Sequence, residues 1–366
     1  GGTERTVAGI LQELIDKGVS GGWCRDEVSH AVFNVERLKT ALDELVADAG
    51  VEVLFHTFAA DALKRDNIVE GIVAATKEGL WAFRAGVVVD CTGDGDVAVF
   101  AGADYQIGRP LDGLCQPATT MVLVGGLDME RIYQYMRQDP RMRRLLAAAI
   151  EAGEMEPFET VMHGFVADPA LPGYAYVNDT AIRRVRCTDP RDMTRAEIEG
   201  RRQAWQLVEV LRKHLPGAEA AQLIATAATV GVRETRRIIG DYMLDVHDVL
   251  NCRQFEDGIA RNAFIIDVHD PEKGDNWNIR HLPKGGWHHI PYRCLLPRGL
   301  ENILVAGRCV SATHEALASI RVMAQCMAMG QAAGTAAALA ATTRITPRQL
   351  DVGRLRRTLE SQGAIV

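Results

Sequence analysis

The densest group of ionisable side chains is Arg233, Glu234, Arg236 and Arg237, in VGVRETRRIIGDY (230–242), just before the apolar pair Ile238-Ile239. A guanidinium fork matches a carboxylate bidentately, so arginines at this density suit an anionic partner. A charge run ordinarily lies on a solvated helix face, and that is where the pattern puts Arg237. A second group is His288, His289 and Tyr292 in GGWHHIPYRCLLP. Histidine titrates near neutral pH and can serve as general acid or base, although a histidine is more often a structural residue. His314, beside Glu315, is a further candidate; His163, His247, His269 and His281 have no comparable context. The eight cysteines (24, 91, 115, 187, 252, 294, 309 and 326) contain no CxxC, and no Ser/His/Asp or metal-ligand spacing emerges. No metal site is expected, and reduced thiols fit a cytoplasmic compartment.

These side chains need a scaffold, and the stretch 301–341 supplies its clearest part. Ile303-Leu304-Val305-Ala306 ends at Gly307 and reads as a buried strand. A helix is expected to begin between Glu315 and Ser319 and to run to about Ala341. Gly330 and Gly334 would let another backbone approach one face of it. A strand, a glycine turn and a long helix with free first N–H groups form a site for an anionic or electron-rich ligand.

Upstream, Val7, Ile10, Leu11, Leu14 and Ile15 follow helical spacing up to Gly18. Asn34 can cap a second helix, closed by Gly50. VEVLFH (51–56) alternates as a strand, and IVEGIVAAT and LWAFRA flank a hairpin turn at Lys77-Glu78-Gly79. GVVVDC (86–91) has the unbroken β-branched run of a strand buried on both faces. Asp94 and Asp96 are poor phosphate ligands because like charges repel, and Asp96 is expected as the N-cap of VAVFAGA. From about Tyr105 to Cys294 the rhythm changes, with a helix from Thr194 to His214 opened by a Thr194/Glu197 capping box. The final TPRQLDVGRLRRTLESQGAIV is an amphipathic covering helix.

At 366 residues, 47% hydrophobic and 24% charged, the composition is that of a globular protein large enough for two domains. The net charge of −7, with dispersed basic residues, argues against a nucleic-acid partner. No apolar run reaches the roughly 18 residues that would span a bilayer, so no membrane partner is expected. No signal-peptide pattern opens the chain.

ILVAGRCVSATHEALASIRVMAQCMAMGQAAGTAA closely resembles the carboxy-terminal FAD motif of FAD-dependent oxidoreductases with the glutathione-reductase-type flavin fold. VVVDCTGDGDVAVFAGA resembles that family's second cofactor strand and turn, and HHIPYRCLLPRGLENILVAGR its approach to the last strand. Family members open with a strand and a GxGxxG pyrophosphate turn, and these 366 residues contain no GxGxxG. The resemblance implies an α/β fold: an incomplete FAD/NAD(P)-binding Rossmann-like domain with a β-meander and an inserted α+β substrate domain. The FAD-binding domain would comprise 1–104 and 295–342, the insertion 105–294, and a C-terminal helix 343–366.

The resemblance also implies FAD as cofactor and a small-molecule substrate, with hydride passing between substrate and flavin N5. Cofactor-binding residues would be Thr92, Gly93, Gly307, Arg308, Ser319, Ile320 and Arg321. Arg308 could pair with a phosphate, and Arg321, in the first turn of the last helix, could stabilise the flavin N1–C2=O edge or form a salt bridge. Catalytic candidates are Arg233 and Arg236, gripping an anionic substrate, with His288 and His289 as acid or base. The alternative is a truncated, non-catalytic fragment or subunit that holds no FAD without the missing N-terminal unit. A homo-oligomer or partner chain would then supply that unit.

Overall fold

The computed structural model describes residues 4–27, 30–272 and 277–366. The expected domain extents also take in residues 1–3, 28, 29 and 273–276, which lie outside the described set. Two strands far apart in sequence form the centre. Val88–Asp90 pairs in parallel with Ile303–Val305, Val88 opposite Ile303 and Asp90 opposite Val305. Val88 and Val89 are only half-buried, because among the described residues no strand covers the other edge. The meander forms as expected: Phe58–Arg65, Ile68–Thr76 and Gly79–Arg84 make a three-stranded antiparallel sheet. Asn302 fastens it to the centre, since its buried side chain bonds Val69 N and Val69 O, both at 2.8 Å, and Gly86 O at 2.9 Å.

VEVLFH is not a strand. Its stretch is irregular, and Val51, Val53, Leu54 and Phe55 are exposed, because no strand among the described residues meets their backbone. Asn34 does cap the Val35–Asp48 helix, accepting from Arg37 N at 3.0 Å. The helix expected from Thr194 starts earlier: Asp189 caps it and Pro190 takes the first position, giving Pro190–His214. Thr194 therefore lies inside the helix and bonds Pro190 O at 2.7 Å.

Within 105–294, strands Gln222–Thr226, Val122–Gly125, Ala175–Asn178 and Gly164–Ala167 form a four-stranded antiparallel sheet in that order. The Pro190–His214 helix packs Ala204, Leu207, Val208 and Leu211 into the same core as Val122, Val124, Ala175 and Val177. Arg236–Ile238 is a strand paired with Tyr105–Ile107, so the arginine-rich stretch is not a helix face. Arg237 is 1% exposed, held by Glu234, by Ala312 O at 2.9 Å and by Gly108 O at 3.0 Å. The charge pattern misplaces it because pairing with Tyr105–Ile107 and the carbonyls of Gly108 and Ala312, all far away in sequence, bury it beside Glu234, three positions earlier. Among the described residues no helix is long and apolar enough to cross a membrane.

Candidate functional site

Because the two central strands run parallel, the turns after them leave from the same end of the sheet. Ala306 N donates to Asp90 O at 3.1 Å, and beyond it Arg308 Nη1 donates to Asp94 Oδ1 at 3.0 Å. Thr92-Gly93 and Gly307-Arg308 are thereby brought together. Gly93 has φ +80°, and a Cβ there would lie 2.5 Å from Arg308 Nη2, so the turn needs glycine for both backbone and room. Asp90, 1% exposed, organises this turn. Its Oδ1 accepts from Thr92 N at 3.0 Å and Thr92 Oγ1 at 2.7 Å, and its Oδ2 from Ala98 N at 2.9 Å.

Thr92 Oγ1 accepts from Asp96 N at 2.9 Å, so Thr92 satisfies the start of the Asp96–Phe100 helix that Asp96 was expected to cap. Gly95, left-handed at φ +66°, holds the N-cap position. Arg236 donates to Asp94 O at 2.8 Å and pairs with Asp96. It is engaged in closing this turn and shares no hydrogen-bond partner with Arg233, the other arginine expected to grip a substrate.

The last helix is two helices. His314–Ile320, capped by Thr313, ends at Arg321, and Met323–Thr343 begins after Val322, which offers no side-chain cap. The free N–H groups belong to the second helix, and Arg321 stands at the break instead of in a first turn. Ser319 and Ile320 are fully buried behind it. Ser319 Oγ donates to Phe264 O at 2.7 Å and accepts from Asn262 Nδ2 at 2.7 Å. Asn262 Nδ2 in turn lies 2.9 Å from His288 Nε2. Gly330 and Gly334 meet no close neighbour: nothing lies within 4 Å of a Cβ built on either.

His288 is buried, its Nδ1 2.9 Å from the His289 carbonyl. His289 Nδ1 accepts from Phe255 N at 3.0 Å, and its ring stands edge-on to Trp287 at 5.0 Å. Burial, reinforced by Arg356 and Arg261, pulls His289 down to about 4; burial lowers His288 too. Both are neutral near pH 7. Neither is hydrogen-bonded to Arg233 or Arg321.

Arg233 and Arg321 meet elsewhere. Arg233 Nη1 donates to Pro117 O at 2.8 Å, and Arg321 Nη2 reaches Asp267 O at 3.2 Å and Gln116 Oε1 at 3.3 Å. Burial, then the charge of Arg321, pulls Arg233 down to about 10. Around them lie Glu159, His163, Asp179, Arg183, Asp267 and His269. His163 Nε2 is 3.1 Å from Glu159 Oε2, and its ring stands 5.2 Å from that of His269. Arg183 Nη2 reaches the other Glu159 oxygen at 3.1 Å, and His269 Nε2 lies 3.4 Å from Asp267 Oδ1. His163 and His269 were given no context from sequence. The usable signal was carboxylate–imidazole spacing, Glu159-x-x-x-His163 and Asp267-x-His269, in two segments that only the fold unites.

The turns and this cluster are continuous. The Cys326 thiol donates to Arg321 O at 3.2 Å; burial raises it to about 11, against the lowering charges of Arg308 and Arg321. Arg308 also acts on Arg321, whose guanidinium burial shifts downward. Arg308 and Arg321 thus act on the same thiol at the uncapped helix start, and Arg321 on Arg233 in turn.

The family model described as FAD dependent oxidoreductase matches residues 2–359. A comparison with curated proteins gives no match. Among solved structures, a geranylgeranyl bacteriochlorophyll reductase-like protein from Thermoplasma acidophilum is 12% identical with a TM-score of 0.44, over 92% of this chain and 62% of that one. The chain thus spans about three fifths of that protein's length. A triple mutant of the flavin-dependent brominase Bmp2 is 12% identical with a TM-score of 0.43, over 98% of this chain and 74% of that one. The p-nitrophenol 4-monooxygenase PnpA from Pseudomonas putida DLL-E4 is 11% identical with a TM-score of 0.36, over 86% and 57%.

Proposed function

Since the chain belongs to the FAD-dependent oxidoreductase family and its cofactor is FAD, we propose that it moves a hydride between a small anionic substrate and flavin N5. The observation that carries this reading is the meeting of the Thr92-Gly93 and Gly307-Arg308 turns beside the uncapped start of Met323–Thr343. The residues present fit the cofactor. Gly307, at φ +90°, has open space where a Cβ would stand, and Arg321 Nε is buried without a partner. Thr92, Gly93, Gly307 and Arg308 would hold the adenosine–pyrophosphate side. The first N–H groups of the helix and Arg321 would face the N1–C2=O edge, where a helix N-terminus carries about half a positive charge. FAD supplies the two-electron centre that these side chains lack.

On this reading the substrate lies between the flavin half and 105–294, its anionic group on Arg233 and Arg321. Three guanidiniums, Arg183, Arg233 and Arg321, face the carboxylates of Glu159 and Asp267, while burial pushes the Asp179 carboxyl well above its usual range and disfavours its charged form. One positive charge is left for a ligand. Titrating the protein with FAD, followed by flavin absorbance and fluorescence, tests the cofactor half. Arg308→Ala is expected to weaken FAD binding at least tenfold; unchanged affinity sinks this placement.

A second reading is favoured by a specific observation. Phe55, Phe58, Leu80 and Trp81 are exposed at 71%, 75%, 72% and 43%, around an open pocket lined by Leu54, Phe55 and Trp81. Such a face suits a complementary α/β unit, and until one covers it the chain would hold FAD weakly. Adding a GxGxxG-containing unit in cis or in trans should then raise FAD affinity; if affinity does not rise, the first reading stands alone.

A further inference from the structure

We propose that His269, backed by Asp267, and His163, backed by Glu159, form the acid–base half of the substrate site, and that the substrate is a 2-hydroxy carboxylate. The proposal rests on the anionic-substrate reading above and names the chemistry of its other end. Glu159 and His269 are 3% and 8% exposed, and two segments far apart in sequence bring the ligand-capable atoms of Glu159, His163 and His269 within 4.8 Å of one another. Each imidazole has its own carboxylate, the arrangement that orients a ring and stabilises it once protonated. Burial, with Arg233 and Arg321 adding to it, lowers His269 and keeps it a neutral base.

A second observation points to a ligand. Asp179, wholly buried, accepts from His163 N at 2.9 Å through Oδ1, while its Oδ2 has no partner; Gln116 Nε2 and Arg321 Nε are likewise buried and unpartnered. Polar atoms in that state cost free energy unless something meets them. Gln116 bridges the two halves, its Oε1 accepting from His269 N at 3.2 Å and from Arg321 Nη2 at 3.3 Å. A hydroxyl beside a carboxylate spans the same pair of groups.

The same His and Glu donors could hold zinc by spacing alone. Charge decides against it. Arg183 occupies one Glu159 oxygen, and Arg233 and Arg321 stand in the same buried shell, so a divalent cation would join an existing positive excess.

The carboxylate sits on Arg233 and Arg321 and the hydroxyl points at His269. The C–H bond breaks with its electron pair going to oxidised flavin, the oxidant. The O–H proton passes to His269, and the C–O bond becomes a carbonyl, leaving a 2-oxo acid. Asp267 stabilises the imidazolium, and His163–Glu159 carries the proton onward.

The test is calorimetric binding to the FAD-loaded protein of glycolate, lactate, malate and 2-hydroxyglutarate, each beside its deoxy counterpart, with ring-proton NMR of the histidines. At least one hydroxy acid should bind tenfold or more tightly than its counterpart and shift the His269 signals. His269→Gln and, as a gentler change, Asp267→Asn should erase that preference while leaving the deoxy acid's affinity within about threefold. Arg233→Met or Arg321→Lys should weaken both members of a pair. If the arginine variants behave so but His269→Gln keeps the preference, the acid–base proposal is overturned and the anion reading survives. If no acid binds, the anion reading itself fails. Stoichiometric zinc uptake, lost in His163→Gln, also overturns the proposal.

Discussion

Removing the carboxylate of Glu234 gives the sharpest test of how the site is held. Glu234 is 1% exposed and serves three elements: it pairs with Arg237, accepts from Gln116 N at 3.1 Å, and lies 2.9 Å from His314 Nδ1. In Glu234→Ala, Arg237 keeps its bonds to Ala312 O and Gly108 O but loses the carboxylate paired with it. An arginine cannot shed its charge, so a guanidinium is left buried and uncompensated, at a cost of about 3–5 kcal/mol. Glu234→Gln keeps the shape and one acceptor and should cost about half as much. The double variant Glu234→Met/Arg237→Met removes both charges and should regain most of the loss. Urea unfolding reads all three, as a change in midpoint at constant slope. A loss below about 1 kcal/mol in Glu234→Ala, or a double variant as unstable as the summed singles, would refute the argument.

Gly93→Ala forces a left-handed backbone on alanine and pushes against Arg308, so a loss of about 1–2 kcal/mol is expected in the same unfolding assay, with weaker FAD binding. Asn302→Ala strands the backbone groups of Val69 and Gly86 and should cost about 2–4 kcal/mol, with faster amide exchange in the meander. His289, lowered to about 4, takes up its proton in the unfolded chain near pH 6.5 but in the folded one only near 4. Stability from this group is complete above pH 6.5 and falls as pH drops from there toward 4. His289→Gln should flatten that part of the pH–stability curve; an unaltered slope would show that the ring is not held neutral.

Local chemistry made the flavin half readable. The Ile303–Val305 run, the glycine turns, the hairpin at Lys77-Glu78-Gly79 and the Asn34 cap are written in neighbouring residues, and the structure has each of them. The fold class and the cofactor were legible for the same reason, through motifs that span one turn each. What escaped the reading depends on residues far apart. VEVLFH alternates correctly yet has no strand beside it among the described residues, and the burial of Arg237 rests on the distant carbonyls of Gly108 and Ala312. The helix break at Arg321–Val322 carries no proline or glycine to announce it. His163 and His269 lie 106 positions apart, by their numbers, and nothing local relates them. His288, by contrast, sits beside the right strand in sequence but is tied up with Asn262.

The pairing of Val88 with Ile303 joins positions 215 apart by number. During synthesis, the first of those two strands leaves the ribosome long before the second exists, and the whole excursion 105–294 must be made in between. Until then the Thr92-Gly93 turn faces solvent without Arg308 opposite it. On the cofactor placement proposed above, nucleotide capture is then a late event in the life of each new molecule, and a chain stalled before Gly307 has only half a cradle to offer.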